Sequence, residues 1–313
     1  GAVIAALVTP EYIPIKMPAG SPYPGVYGYS NFFSGDNPLS DIWQSENKTI
    51  ANNLLGNVYT EITLPFNLKY RSQFNAIMED SRYDWFLNPY TSLYGISLTG
   101  AGRENTSEVF RYSWDNTLTY DRHFGKHALN VVVGTSSLEE KIATSSQYGT
   151  GFASGSVTTL NGASTNYSIS TGRYNWTTNS YFGRLMYSYA DRYLLTATLR
   201  ADGSSRVGIN NRWGTFPAVS VGWKVSQEKF MENVTFVQNL KIRAGYGATG
   251  NLPPYTMLYP TYSLLSAGSA YSWSSGAASP GVSPSSQIGN PNLRWESAKQ
   301  TNIGFDAGFL QSR

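Results

Sequence analysis

Apolar and polar positions alternate with period two along much of the chain. In Phe110 to Tyr120 one face reads Phe110, Tyr112, Trp114, Asn116, Leu118 and Tyr120; the other reads Arg111, Ser113, Asp115, Thr117 and Thr119. Tyr193 to Asp202 sets Tyr193, Leu195, Ala197 and Leu199 against Leu194, Thr196, Thr198, Arg200 and Asp202. Leu240 to Gly247 and Asn302 to Phe309 repeat the pattern, as does Leu68 to Ala76, where Leu68, Tyr70 and Phe74 oppose Lys69, Arg71 and Gln73. Only a strand turns successive side chains to opposite faces, so these segments are expected to be strands with one wet face. Less regular alternation over Asn53 to Leu64, Ala128 to Thr135, Trp176 to Tyr189 and Phe216 to Val225 brings the expected total to about nine strands. Helical spacing shows in one place, Gln227 to Val237, where Phe230, Val234 and Val237 recur.

The connections alternate in length. Leu64 to Asn67, Asp121 to Lys126 and Ala190 to Arg192 are short, and Ser226 to Asn239 is a modest linker. At the opposite ends lie Asp80 to Asn105, Ser137 to Tyr174, Gly203 to Arg212 and Gly250 to Asn292. Short turns at one end and long polar loops at the other match an outer-membrane barrel, with turns in the periplasm and loops outside. Aromatic residues gather beside the short turns: Tyr120, Tyr187, Tyr189, Tyr193 and Trp223. That is where a membrane barrel carries its interfacial girdle. From Phe110 to Tyr120 a strand covers roughly 33 Å, which at about 45° of tilt becomes roughly 23 Å of height, close to the apolar band of such barrels. A soluble sandwich also alternates, but its core favours aliphatics and its loops are short at both ends. A propeller would show a blade repeat, and none is visible.

Composition narrows the choice. The 313 residues include 23 Tyr, 14 Phe, 8 Trp and 30 Gly, and 14% are charged, against about 25% in a typical soluble domain. The longest clean apolar run, Ala2 to Val8, is far short of the roughly 18 residues of a spanning helix. A formal charge of +3 spread along the chain gives nucleic-acid binding little support. Cysteine is absent, which removes disulfides, thiolate metal sites and cysteine nucleophiles.

On an expected barrel wall the wet face lines the interior. It carries Lys69, Arg71, Arg111, Arg184, Arg200, Lys224, Lys241 and Arg243 against Asp115, Asp202 and Asp306. Such a surface either favours anionic or polar solutes or hydrates the wall and pairs with whatever fills the barrel.

Motifs that suggest chemistry dissolve on inspection. Gly245 to Gly250 matches GxGxxG, but Pro253 and Pro254 follow, so no helix can open in register to receive a pyrophosphate. His123 and His127 flank Gly125 in an expected tight turn with no third ligand nearby. Glu139 and Glu140 are expected on a solvated loop rim. Neither GxSxG nor SxxK occurs with a usable base. No enzyme activity and no cofactor or metal is expected. The long loops instead offer flat aromatic faces beside amides, which suit sugar rings or peptides. Trp85, Tyr90, Tyr94, Tyr259 and Trp273 are the candidate substrate-binding residues, against the alternative that they pack the loops on one another.

A family resemblance rests on a series of runs. Ser180-Tyr181-Phe182-Gly183-Arg184-Leu185 leads into Tyr187 to Leu195, then Leu199-Arg200-Ala201-Asp202-Gly203-Ser204-Ser205-Arg206. Asn211-Arg212-Trp213-Gly214, Phe216 to Trp223, and Leu240 to Gly247 follow. Asn290-Pro291-Asn292-Leu293-Arg294-Trp295-Glu296 then precedes Gln300 to Gly304. In this order they resemble the SusC/RagA-type TonB-dependent transporters of Bacteroidetes outer membranes, with high specificity from about Asn179 to Phe309.

The resemblance implies part of an all-β, antiparallel up-and-down transmembrane barrel of about 22 strands, with an N-terminal plug and a TonB-contacting segment. The chain then reads as an interior fragment: residues 1–48 mostly extracellular loop, 49–313 barrel strands and loops, and no plug. The implied function is nutrient import across a Gram-negative outer membrane. The implied partners are a SusD-like surface lipoprotein, the TonB complex through the plug, outer-membrane lipid, and a glycan or oligopeptide substrate. The competing readings are a soluble carbohydrate-binding or adhesive module and a passive porin.

Overall fold

The structure is a computed structural model that describes residues 7, 11, 13–21, 24–27, 37, 39, 42, 45–90, 93–234, 236–253, 259–273 and 277–309. Of residues 45, 93, 94, 267–273 and 277–280 it describes the backbone. Nine antiparallel strands form one sheet: β1 (Ser45–Leu64), β2 (Leu68–Leu87), β3 (Ala101–Phe124), β4 (His127–Thr150), β5 (Thr165–Tyr189), β6 (Tyr193–Ser204), β7 (Trp213–Lys224), β8 (Val237–Asn251) and β11 (Glu296–Phe309). Their spatial order follows the chain, with β11 beside β8. The sheet is open among the described residues, with β1 and β11 at its edges. A separate hairpin, β9 (Leu265–Trp273) with β10 (Ala277–Pro284), lies between β8 and β11 in sequence. One short helix, α1 (Leu93–Leu98), sits between β2 and β3.

Each of the nine expected strands is therefore present, and most are longer than the alternation suggested. β3 and β4 run for 24 residues each and β5 for 25, whereas about 9–11 residues cross a bilayer. Three expectations are corrected. Asp80 to Asn105 and Ser137 to Tyr174, read as loops, are partly strand: β2 runs to Leu87, β3 starts at Ala101, β4 runs to Thr150 and β5 starts at Thr165. Gln227 to Val237 is not a helix: single 3₁₀ turns stand at Val225–Gln227 and Lys229–Met231, and β8 begins at Val237. The stretch Gly250 to Asn292, read as a loop, contains the β9–β10 hairpin. Its Ser, Ala and Gly give no two-sided pattern, and Pro280 and Pro284 are tolerated because β10 pairs on one side only, with β9.

The chain divides into two compact units, one made of Gly1–Leu55, Ile77–Phe110 and Lys141–Tyr174, the other of Gly56–Ala76, Arg111–Glu140 and Asn175–Arg313. The first unit holds a small core of Phe86, Phe152 and Ala163, with Leu160 packed against it. The Phe86 and Phe152 rings meet edge to face at 5.0 Å. This core ties the end of β2 to the loop after β4.

The second unit shows why the strands have two faces. Across β5, β6 and β7 the register aligns Tyr189, Tyr193 and Trp223, then Tyr187, Leu195 and Val221, then Leu185, Ala197 and Val219. It continues through Ile242 and Ala244 of β8 to Phe305 and Ile303 of β11. Leu185, Tyr187, Leu195, Ala197 and Ala244 are half-buried among their neighbours, and the rest of the row is exposed, up to 78% at Ile303 and 72% at Phe305. A soluble sandwich would cover this row with a second sheet. Here it is a continuous apolar belt, edged by Tyr189, Tyr193 and Trp223 at the short-turn end and by stacked Tyr181 and Trp213 at the loop end.

Candidate functional site

The functional surface is the other face of that second unit. Alternation fixes its members: once Tyr181 and Leu199 point into the belt, Ser180, Phe182, Thr198 and Arg200 point away from it.

At one side of this face a polar ladder crosses the first strands. Lys69 Nζ lies 3.1 Å from Glu61 Oε1, and the Arg71 guanidinium stands 4.3 Å over the Tyr59 ring. Arg71 Nη2 donates to Gln73 Oε1 at 2.7 Å, Gln73 Nε2 donates to Asn75 Oδ1 at 2.8 Å, and Asn75 Nδ2 donates to Ser113 Oγ at 3.0 Å and to Asp115 Oδ2 at 3.1 Å. Ser136 Oγ donates to the other oxygen of Asp115. Each polar group is matched on the wall itself, as a surface that meets water or a polar filling requires.

Further along, Glu140 is 1% exposed. It pairs with the Arg111 guanidinium and accepts from Trp176 Nε1 at 2.9 Å. This corrects the expectation of a solvated rim for Glu140. Arg206, 4% exposed, covers the Trp176 ring at 5.7 Å and donates through Nη2 to the Pro253 carbonyl at 2.8 Å. Beside it Arg200 Nε donates to Asp202 Oδ1 at 2.7 Å, Nη2 donates to Ser180 Oγ at 2.9 Å, and the guanidinium lies 5.5 Å over the Phe182 ring. The Phe182 ring fills the space where a Cβ on Gly134 would stand, 2.5 Å away.

The Asn290 to Glu296 run straps the loops over this cluster. Gly208 N donates to Leu293 O at 2.8 Å, Asn211 Nδ2 to Asn292 O at 3.0 Å, and Trp295 Nε1 to Arg212 O at 2.8 Å. The Trp295 ring meets Phe216 edge to face at 5.5 Å. Gly250 makes this possible, because its Cβ would come within 2.1 Å of the Phe216 ring.

Four of the eight wet-face cations have a carboxylate on the same wall: Lys69 with Glu61, Arg111 with Glu140, Arg200 with Asp202, and Arg243 Nε with Asp306 Oδ2 at 3.4 Å. Lys224 Nζ pairs at 2.7 Å with Asp191 in the turn before β6, and this holds the Asp191 carboxyl below its ordinary range. At the same end Glu228, in the linker after β7, accepts from Tyr193 Oη at 2.7 Å, Trp223 Nε1 at 3.0 Å and Arg192 Nη1 at 3.2 Å. The hydrogen bonds from Tyr193 and Trp223, then the Arg192 charge, hold the Glu228 carboxyl below its ordinary range against the opposing effect of desolvation.

The candidate aromatics fall in different places. Trp85 lies near the end of β2 and lines a pocket of about 140 Å³ with Arg82, Asp84 and Arg103. Tyr90 is exposed, and its hydroxyl donates to the Ala153 carbonyl at 2.6 Å. Both belong to the first unit. Tyr259 belongs to the second, where its hydroxyl accepts from the Asn175 N–H at 3.3 Å and its carbonyl from Gln287 Nε2 at 2.8 Å. The side chains of Tyr94, in α1, and Trp273, at the end of β9, lie outside the described residues. The two histidines are engaged separately: His127 Nδ1 with Tyr187 Oη at 2.7 Å, and His123 near Asp121 at 3.7 Å. Among the described residues no cluster of three or more His, Asp or Glu could hold a metal. Gly245 to Gly250 runs inside β8, so no helix N-terminus meets it. The surface offers rings, amides and paired ions for binding.

Comparison with known proteins places this geometry. The family described as TonB dependent receptor-like, beta-barrel, matches residues 12–313. The TonB-dependent receptor SusC of Bacteroides thetaiotaomicron is 30% identical over 91% of this chain, which spans 28% of that relative. TonB-dependent receptor P39 of Formosa agariphila is 28% identical over 90% of this chain and 26% of its own length. Among solved structures, the RagAB peptide transporter aligns with a TM-score of 0.78 at 23% identity, over 95% of this chain and 31% of that one. The chain thus spans little more than a quarter of the curated relatives it matches.

Proposed function

Because the chain belongs to the TonB-dependent receptor-like β-barrel family, we propose that it forms part of the wall of an outer-membrane importer for oligosaccharides or oligopeptides. One observation carries this reading: a single sheet presents a continuous, largely exposed apolar belt on one face and a hydrogen-bonded polar wall on the other. Such a sheet is stable where hydrocarbon meets one side and water or a polar plug meets the other. In this reading the wall supplies shape and hydrogen-bonding surface, with no bond chemistry.

In this reading residues 49–313 are barrel strands and loops, and 1–48 are mostly extracellular. A SusD-like surface lipoprotein caps the loops and delivers substrate. A plug elsewhere in the whole receptor couples to TonB. Trp85, Tyr90, Tyr94, Tyr259 and Trp273 are the loop aromatics proposed to touch substrate. Support comes from the similarity to SusC and from the shared fold with RagAB.

The test is a clean deletion of the whole gene in its host, followed by growth on defined oligosaccharides and on defined oligopeptides as sole nutrient. Loss of growth on one class, restored by the intact gene, supports import. Unchanged growth and unchanged uptake of labelled members of both classes would overturn it. Co-purification of a surface lipoprotein with the tagged receptor tests the partner.

A further inference from the structure

The apolar belt of the second unit is not smooth. A trough of about 700 Å³ crosses it, lined mainly by apolar atoms. Its bed is Leu118, Val133, Gly183 and Leu199. Gly183 pairs with Leu199, and a Cβ on Gly183 would find only Val132 O and Val133 Cγ1, both at 3.9 Å. The depression therefore exists because one position in a row of large side chains has none.

A second feature points to the occupant. Along one edge of the trough stand Asn116, Thr135 and Thr215, polar residues on an otherwise apolar face. Asn116 Oδ1 accepts from Tyr70 Oη at 2.8 Å, which leaves its Nδ2 hydrogens for a partner. Hydrocarbon cannot satisfy an amide donor, and an unsatisfied one is costly. An acyl carbonyl can accept from it. The edge lies toward the loops: Ala201 is near the loop end of β6, Thr215 near that of β7, and Tyr181 stacks on Trp213 just beside them at 5.6 Å.

We propose that this trough holds one acyl chain of lipid A, the lipid of the loop-side leaflet. The carbonyl of its ester or amide linkage accepts from Asn116 Nδ2, and the chain lies over Gly183 between Val133 and Leu199. The inference rests on the outer-membrane placement proposed above, from which the occupant follows by continuity with the belt.

The test uses the full-length receptor, purified from outer membranes in detergent and titrated with purified lipid A under native mass spectrometry. Gly183→Leu fills the trough, Asn116→Leu removes the donor, and Ala244→Leu adds the same bulk elsewhere on the belt. Lipid A is expected to bind the wild type and Ala244→Leu alike, and both other variants about tenfold more weakly. A phosphatidylethanolamine of matched chain length is expected to bind the wild type no more tightly than it binds Gly183→Leu. Heat-modifiable gel migration confirms that each variant is folded. Equal lipid A binding by wild type and Gly183→Leu overturns the site. Phosphatidylethanolamine binding as tight as lipid A overturns the choice of lipid. A receptor missing from the outer-membrane fraction would instead defeat the placement, which is a separate outcome.

Discussion

At the residue scale, the buried carboxylate of Glu140 is the most exacting feature of the wall. Its charge is matched by Arg111, and its second oxygen takes the Trp176 indole hydrogen. Removing one partner of a buried pair leaves the other charge stranded, which costs roughly 3–5 kcal/mol, whereas removing both is far milder. Arg111→Met is therefore expected to lower the urea midpoint of the refolded full-length barrel sharply, and Arg111→Met with Glu140→Met to recover most of it. A double variant as unstable as the single one would show that the pair does not act as described. Gly250 makes a complementary demand. A methyl group there would meet the Phe216 ring at 2.1 Å. Gly250→Ala is expected to cost about 1–3 kcal/mol, as overpacking does, and Phe216→Leu in the same chain to return part of it. Both features were hidden in the sequence for the same reason. The partners of Glu140 stand 29 and 36 residues away, and Phe216 meets Gly250 across a strand pairing that alternation cannot specify.

At the element scale, the strands were legible wherever the two faces differ in polarity. Tyr193 to Asp202 was bounded within two residues of β6, because Leu195 and Leu199 alternate with Thr196 and Thr198. Where both faces are polar the pattern fades. Asp80 to Leu87 and Ser137 to Thr150 looked like loops, since Arg82, Asp84, Ser137 and Glu139 fall on the face that carries the belt lower in the same strands. Those stretches are strand that has left the apolar band, so the sequence marks the band rather than the strand. The same logic gives a direct test. Leu199→Arg places a charge on the belt, where it costs roughly 2–4 kcal/mol near the midplane, and Thr198→Arg places it on the wet face. Outer-membrane assembly is expected to fall strongly for the first and little for the second; equal tolerance would deny the belt its role. The linker after β7 carries a pH dependence. Its Glu228 has a folded-state pKa below the ordinary carboxylate value, so its stabilisation is complete above that ordinary value and is lost as pH falls through the folded one. Acidification is expected to loosen residues 225–234 before the sheet, read as faster amide exchange there. Glu228→Gln is expected to abolish that pH dependence.

At the scale of the whole molecule, the pairing of charges decides what kind of conduit the wall can line. Counted from sequence, the wet face has more cations than anions and suggests an anion path. The geometry changes that balance. Arg111, Arg200, Lys69 and Arg243 each spend their charge on a neighbouring carboxylate, while Arg184 and Lys241 have no carboxylate partner among the described residues, so the cation excess shrinks without vanishing. A ring of unpaired charge selects ions, while a wall of matched pairs, amides and ring faces is closer to neutral toward them and presents hydrogen bonds to sugars or peptide backbones. If the receptor carries the plug proposed above, the full-length protein with that plug removed is therefore expected to show only weak anion selectivity across a planar bilayer. Glu61→Gln together with Asp202→Asn uncouples Lys69 and Arg200, and the reversal potential is then expected to move toward anion selectivity. Strong anion selectivity already in the unaltered barrel would mean that the pairs break in the working pore. The wall would then act on charged solutes directly instead of through its neutral, hydrogen-bonding surface.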